Sequence, residues 1–485
     1  MAHAIEQDTT ELEGPEAEMV SEGCPHATPR ATSTHISRDA TGGQAVRMSA
    51  SRQLANSAEA IANVSKRLNG LLSNERTRRA LRALPGPTSA FMTRLARVLV
   101  SSSRLGCMAH GGNVARSLAA IRTVTGSNSL SSHVAALALR LRIEAMAEAH
   151  PELLEDSEVH SIIVALSDGR QLDALRIYRR MKSERGNSQV MADFAPIFTE
   201  LTGLLALLDN NPFNDAVAWS LVTSTAPRGE PLLGVSAEWV AGLESGAGSA
   251  VKVEPSAEVA SRLNADFGVE SHMRNIGALR AEGYVLVQRI DCHDGQDRYI
   301  VDLPGMTADE VSGESTQDLV GAIRNVQHSD STYTRALKQF VIAHAVPEGS
   351  EIAFIGHSQG GSVAMNMGED EDFNKKYTIT HIVAIGSPVD HKNPLESIWC
   401  ASVTNQHDIV PSLDGRGPGS PHNPHPEWFE VDYSDPSHGF PACHHAMKYA
   451  ENLAHDIPQA AAEIDARMER YRGRVAETSL WLLKD

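Results

Sequence analysis

Cysteine is scarce in this chain: five in 485 residues, at 24, 107, 292, 400 and 443, with no CxxC pair among them. An odd number at such wide spacing encodes neither a disulfide framework nor a zinc ribbon, and it fits a reducing compartment. Aromatic residues make up only 5%, yet 41% hydrophobic against 21% charged residues is the composition of a globular protein and excludes global disorder. No uninterrupted apolar run reaches the roughly 18 residues of a spanning helix. The opening MAHAIEQDTTELEGPEAEMVSEG lacks the cationic and apolar regions of a secretory signal, so a soluble, cytoplasmic protein is expected. Positive charge is also short, with 43 Lys and Arg against 61 Asp and Glu and a net charge of −18. General attachment to a nucleic acid backbone is thereby excluded as the default, and no nucleic acid partner is expected.

The charge is unevenly spread. Residues 1–50 carry a net −5, residues 51–142 a net +12 and the rest −25, a polarity that suggests separate modules. The first 50 residues are rich in Glu, Thr, Ser, Gly and Pro and have few large apolar side chains to offset the entropy of ordering, so an acidic, disordered tail is predicted. From 51 to 225 the pattern is helical, with Val134, Leu137 and Leu141 at i, i+3 and i+7 and Leu175, Tyr178 and Met181 spaced by three. An all-α domain is predicted there, and a Gly, Pro and Ser-punctuated linker over 226–258. Beyond 259, short β-rich runs alternate with helical stretches: GYVLVQRI, RYIVDLP, EIAFIG, ITHIVAIG, IWCASVTN and WFEVDY, then a helix over about 441–474. This alternation predicts an α/β domain built on a mostly parallel sheet, with an antiparallel hairpin at its start around Asp294-Gly295.

Gly356-His357-Ser358-Gln359-Gly360 is a G-x-S-x-G pentapeptide. The apolar run Ile352 to Ile355 leads in and the small residues Gly361 to Ala364 lead out, which is the context of a strand turning sharply into a helix. Such a turn raises the central serine at the carboxyl end of the sheet, and Gly356 and Gly360 let neighbouring backbone approach. A serine hydroxyl needs an imidazole to take its proton, and the imidazole needs a carboxylate to fix its tautomer. In an open α/β sheet these partners belong on loops beyond the carboxyl ends of later strands. Asp408, after IWCASVTN, and His444 or His445, after WFEVDY, occupy such positions in the order Ser, Asp, His; Asp390, in GSPVD, competes with Asp408. The oxyanion of a tetrahedral intermediate needs two backbone donors, one of them the amide after the nucleophile, Gln359.

With IGHSQGGSVA, VAIGSPVD, VTNQHDIVPSLDG and HHAMKYA together, the segment from about 283 to 455 resembles a lipase-like member of the α/β-hydrolase superfamily. The resemblance covers roughly a third of the chain and implies Ser358 as nucleophile, Asp408 as acid and, because a tyrosine follows at 449, His444 as base, with His445 the alternative. It also implies a second oxyanion donor just after the Pro-Gly pair that ends RYIVDLPGM, at Met306 or Gly305; Met306 departs from the small or hydroxyl residue usual there. The implied activity is cleavage of carboxylic esters, with lipid-like acyl chains, through an acyl-enzyme.

Other readings use the same residues. An acyltransferase or thioesterase would need no different triad, and a degenerate hydrolase fold would make the chain a partner-binding scaffold. The reaction requires no metal or organic cofactor. The histidines at 407, 422, 425, 438, 444 and 445 form a potential metal cluster but lack HExxH or repeated ligand spacing, and His407 reads as a solvated neighbour of Asp408. Ala109-His110-Gly111-Gly112 imitates an esterase oxyanion motif but lies too early in the chain. The basic block within 51–142 offers a face to an anionic membrane or an acidic partner.

Overall fold

The computed structural model describes residues 42–76, 130–208, 215–224, 246–279, 283–306 and 328–484, with breaks at 417–422 and 436–438, and a few isolated positions besides. The first 41 residues of the expected tail, the Ala109 to Gly112 motif, most of the basic block, residues 226–245 and His422 and His438 lie outside them.

The N-terminal part is helical: α1 (Gly42–Ser73), α2 (Leu130–Ala149), α3 (Glu152–Glu155), α4 (Ser157–Ser167), α5 (Gln171–Arg185), α6 (Asn187–Asp193), α7 (Phe198–Leu208) and α8 (Asp215–Thr223). The first helix starts eight residues before position 50, where the tail was expected to end. Its ordering depends on α2: Ser51 Oγ donates to the Ala138 carbonyl at 2.8 Å, and Arg47 pairs with Glu148. Ala55 and Ala58 pack in the same core as Ala135, Ala138 and Leu139, where small side chains let the two helices approach closely. The expected apolar face of α2 is corrected here. Leu137 is 44% exposed, whereas Ala135, Leu139, Arg142, Ile143 and Met146 are buried. Alanines count little in a periodicity of large apolar residues, yet they form the close contact. The buried Arg142 donates to the carbonyl oxygens of Leu221 and Val222 at 3.3 and 2.7 Å, which are among the last carbonyls of α8 and lack partners within that helix. Asp156 caps α4 by accepting from the backbone N–H groups of Glu158 and Val159.

The C-terminal half carries one eight-stranded sheet, in spatial order β1-β8-β2-β3-β4-β5-β6-β7. Its elements are β1 (Ser249–Val253), α9 (Val269–Leu279), β2 (Tyr284–Cys292), β3 (Asp297–Leu303), α10 (Thr332–Ala336, continued by a π-helical turn at Leu337–Ile342), β4 (Glu351–His357), α11 (Gln359–Glu369), α12 (Glu371–Lys376), β5 (Thr378–Ile385), β6 (Trp399–Asn405), β7 (Trp428–Tyr433), α13 (Ala446–His455), α14 (Pro458–Arg467) and β8 (Gly473–Lys484). Strands β3 to β7 are mutually parallel, while β1, β8, β2 and β3 pair antiparallel. Along β4 the side chains alternate between two cores: Ile352 and Phe354 join Leu337, Val363 and Met367 on one face, and Ala353 and Ile355 join Met273, Tyr449 and Leu453 on the other. Both faces are covered by helices, which is why the strand is a continuous apolar run.

Two expectations fail at the edge of this sheet. The linker expected over 226–258 contains β1, which pairs with β8 from Ser249↔Lys484 to Val253↔Leu480. The helix expected to run to 474 breaks into a 3-10 turn at Ala442–His444, α13, α14 and a second 3-10 turn at Met468–Tyr471, and the chain returns as β8 between β1 and β2. GRVAETSLWLLK has only partial alternation, and its strand conformation is set by the two neighbours that supply its ladder of hydrogen bonds. Among the described residues no helix is long and apolar enough to cross a membrane.

Candidate active site

The parallel strands β3 to β7 all end on one edge of the sheet, and the loops that leave β3, β4, β6 and β7 carry Gly305, Ser358, Asp408 and His444. Ser358 stands between the last residue of β4 and the first of α11 at φ 57° and ψ −126°, a backbone conformation that a residue with a Cβ rarely adopts. The turn is held by the Ser358 N–H, which donates to the Ile385 carbonyl of β5 at 3.0 Å. It closes only because Gly360 lacks a side chain: a Cβ there would lie 2.0 Å from the Leu303 carbonyl oxygen.

His444 bridges the serine and the acid. Its Nε2 lies 2.9 Å from Ser358 Oγ and its Nδ1 2.6 Å from Asp408 Oδ2. An ionised carboxylate only accepts, so Nδ1 carries the proton and Nε2 is left to accept from the serine hydroxyl. Asp408 is fully buried at its side chain, and its charge is met by three donors: His444 Nδ1, the Tyr449 hydroxyl at 2.9 Å to the same oxygen, and the Val410 N–H at 3.0 Å to Oδ1. Tyr449 in turn accepts from the Asn405 N–H at 3.2 Å. Burial, and after it the Asp408 charge, raises the pKa of Tyr449 well above the usual tyrosine value, so the phenol remains a donor. Ser358 is 6% exposed and the His444 side chain 18%, so the triplet is reached from solvent on the histidine side. Such a chain can move a proton from the hydroxyl onto the imidazole while the carboxylate stabilises the resulting cation.

The remaining sequence-derived candidates sort by position. Gln359 is the first residue of α11, so its N–H is one of the four that a helix leaves without an internal partner, and it points to the same end as the serine. Gly305 packs directly on the serine, since a Cβ there would meet Ser358 Cβ at 2.6 Å; Met306 follows it, partly exposed. His445 is exposed and stands at the N-cap position of α13 without a capping side-chain bond, and no hydrogen bond joins it to Ser358 or Asp408. Asp390 belongs to a different cluster. Its N–H donates to Asp414 Oδ2 at 2.8 Å, Asp414 Oδ1 accepts from the Arg416 N–H, and burial raises both carboxyl pKa values, that of Asp390 further through the Asp414 charge. The structure therefore joins His444 to Asp408 and leaves Asp390 and His445 outside the hydrogen-bonded chain.

His357, present in the sequence only as the variable residue of the pentapeptide, packs its ring 4.7 Å from that of His444. Burial first, then the nearby His444, pushes its pKa well below the ordinary histidine value, which keeps a second cation away from the His444 ring. Burial lowers His381 on β5 in the same way, to about 4. A histidine depressed in the folded state contributes stability that is complete above its unfolded pKa of roughly 6.5 and is lost as pH falls toward the folded value. These histidines thus pull urea midpoints down between about pH 6.5 and 4, each by up to about 1.4 kcal/mol per pH unit, against the opposite contribution of the raised Asp390 and Asp414 carboxyls. His381→Gln should make that limb shallower by one proton; an unchanged slope would show that His381 is not held neutral.

His407 is corrected: it is buried and faces the helical half. Its ring is edge-on to that of His150, and its Nε2 lies 3.1 Å from Glu152 Oε1. Nearby, Ile409, Val410 and Phe440 form one apolar cluster with Met191, Ala195 and Phe198, and Thr199 Oγ1 donates to the Ser412 carbonyl at 3.4 Å. The helices thus pack onto the loops that carry Asp408 and His444. Sequence reading had no signal for this, because the partners are some two hundred residues apart. Compared with models of protein families, with curated proteins and with solved structures, the chain matches none of them.

Proposed function

We propose that this protein is a serine hydrolase of α/β-hydrolase type that cleaves carboxylic esters, with lipid-like acyl esters as its substrate class. The observation that carries the reading is His444 held between Ser358 Oγ and the buried Asp408, with the serine on a strained strand-to-helix turn. Ser358 Oγ attacks the ester carbonyl as His444 Nε2 takes its proton, and the same proton passes to the leaving alcohol. The tetrahedral oxyanion sits against the Gln359 N–H and the Gly305 to Met306 backbone. Water, activated by His444, then releases the acid and restores the serine. The lipid-like acyl class rests on the resemblance of residues 283–455 to lipase-like hydrolases.

A fluorophosphonate probe tests the nucleophile directly. Labelling is expected to be stoichiometric, to map to Ser358 by peptide mass spectrometry, and to be prevented by heat unfolding. Alongside it, p-nitrophenyl esters graded from acetate to palmitate read the acyl preference, and turnover should rise with chain length before solubility limits it. Absence of both labelling and turnover would make the chain a scaffold.

A further inference from the structure

We infer that His150, Glu152 and His407 form a binding site for one divalent transition-metal ion of the zinc class, which ties the helical half to the loop carrying Asp408. His150 and Glu152 flank Pro151 at the start of α3, and His407 directly precedes Asp408 on the loop after β6. The three side chains offer ligand atoms that all lie within 4.8 Å of one another. Both imidazoles address the same carboxylate oxygen, Glu152 Oε1, at 2.9 Å from His150 Nδ1 and 3.1 Å from His407 Nε2. The rings stand nearly perpendicular, at 83°, so they approach that point from different directions. Zinc bonds of about 2.0–2.2 Å at tetrahedral angles place neighbouring N and O ligands about 3.3 Å apart, close to the two histidine–carboxylate separations.

The donor set selects the ion. Two imidazole nitrogens and one carboxylate oxygen suit zinc, cobalt or nickel, whereas calcium and magnesium favour all-oxygen shells. Both histidines are buried, and the Glu152 side chain is 30% exposed, which gives an ion and a bound water access from one side. Ser434 Oγ, 3.0 Å from His407 Nε2, borders the fourth position. To ligate, His150 keeps its proton on Nε2 and His407 on Nδ1, so both rings bind in a neutral form. The ion takes no part in the proposed reaction, and the inference stands whether or not Ser358 is a nucleophile. Its consequence is mechanical: a ligand adjacent to Asp408 makes the docking of the helices on the acid loop depend on metal.

The test uses the full chain, stripped with EDTA, desalted and titrated separately with zinc and cobalt. One equivalent of zinc should survive dialysis, cobalt should give the intense visible bands of a tetrahedral site, and zinc should raise the melting temperature of the stripped protein. His150→Gln and Glu152→Gln should each weaken binding at least about 100-fold and abolish the cobalt bands, since loss of a ligand exceeds the 10–100-fold cost of losing a group that only orients one. Both variants should melt cooperatively near the temperature of stripped wild type. Wild-type protein that retains no equivalent, or whose melting zinc leaves unchanged, overturns the site whatever the variants do. So does an equivalent retained undiminished by both variants, which would place it among the chain's other histidines. Labelling of Ser358 by fluorophosphonate, measured on the same samples, separates failure of this site from failure of the hydrolase reading.

Discussion

Replacing Ser358 by alanine is expected to lower ester turnover by about five to six orders of magnitude, to the level left by binding and the oxyanion donors alone. His444→Ala should cost about as much, because in the proposed reaction the imidazole accepts the proton in the same step, and the double variant should be no worse than either single one. Asp408→Asn should cost about four orders, since an amide in place of the carboxylate stabilises the wrong tautomer of His444. The same change keeps the side-chain shape, leaves the amide oxygen to accept from the Val410 N–H and lets the Tyr449 hydroxyl oxygen accept from the amide nitrogen, so cooperative unfolding should persist. Steady-state hydrolysis of a short-chain p-nitrophenyl ester with circular dichroism melts checks all three. The geometry also fixes the controls. His445→Ala and Asp390→Asn lie outside the hydrogen-bonded chain and should keep turnover within about tenfold of wild type. Retained activity in His444→Ala with loss in His445→Ala would transfer the base.

The second large effect concerns the two halves. A fragment for this purpose begins near 246, because a cut at 259 would remove β1 from the edge of the sheet and leave β8 unpaired on that side. Freed of the helices, that fragment exposes Ile409, Val410 and Phe440, at a cost of about 1.5–3 kcal/mol for each large side chain moved fully into water. It also removes Glu152 from His407, the residue next to the acid. The fragment is expected to aggregate or to lose most turnover even on soluble esters, read by size-exclusion chromatography and hydrolysis of p-nitrophenyl acetate. A monomeric fragment with full activity would limit the helices to recruiting the proposed hydrolase. In that case the intact protein should bind anionic vesicles in a manner that weakens with salt, as expected for the basic block.

Much of the C-terminal half was legible because its signals are local. A strand buried on both faces is an apolar run, as in EIAFIG, and the turn after it demands small residues at fixed offsets, as at Gly356 and Gly360. The order of chemistry-bearing residues after that turn picked out Ser358, Asp408 and His444 as candidates, and the hydrogen bonds join those three. What chain order could not decide was settled by distance: His444 rather than His445 meets the serine, and Asp390 pairs with the Asp414 loop. The edge strands β1 and β8 escaped notice because neighbouring backbone, rather than their own pattern, sets their conformation. For α1 and α2 the contact runs through alanines and Ser51, whose weak signal is lost beside the exposed Val46, Val64 and Leu137. The packing of His150, Glu152 and Phe198 against His407 and Ile409 joins segments more than two hundred residues apart, and no local property of either segment encodes the other. Sequence by itself determined the α/β character of the C-terminal half, the strained turn and the residues offered for the site. Only tertiary structure decided which of them touch and that the helices complete the loops around them, because burial and ion pairing across the fold depend on where distant segments meet.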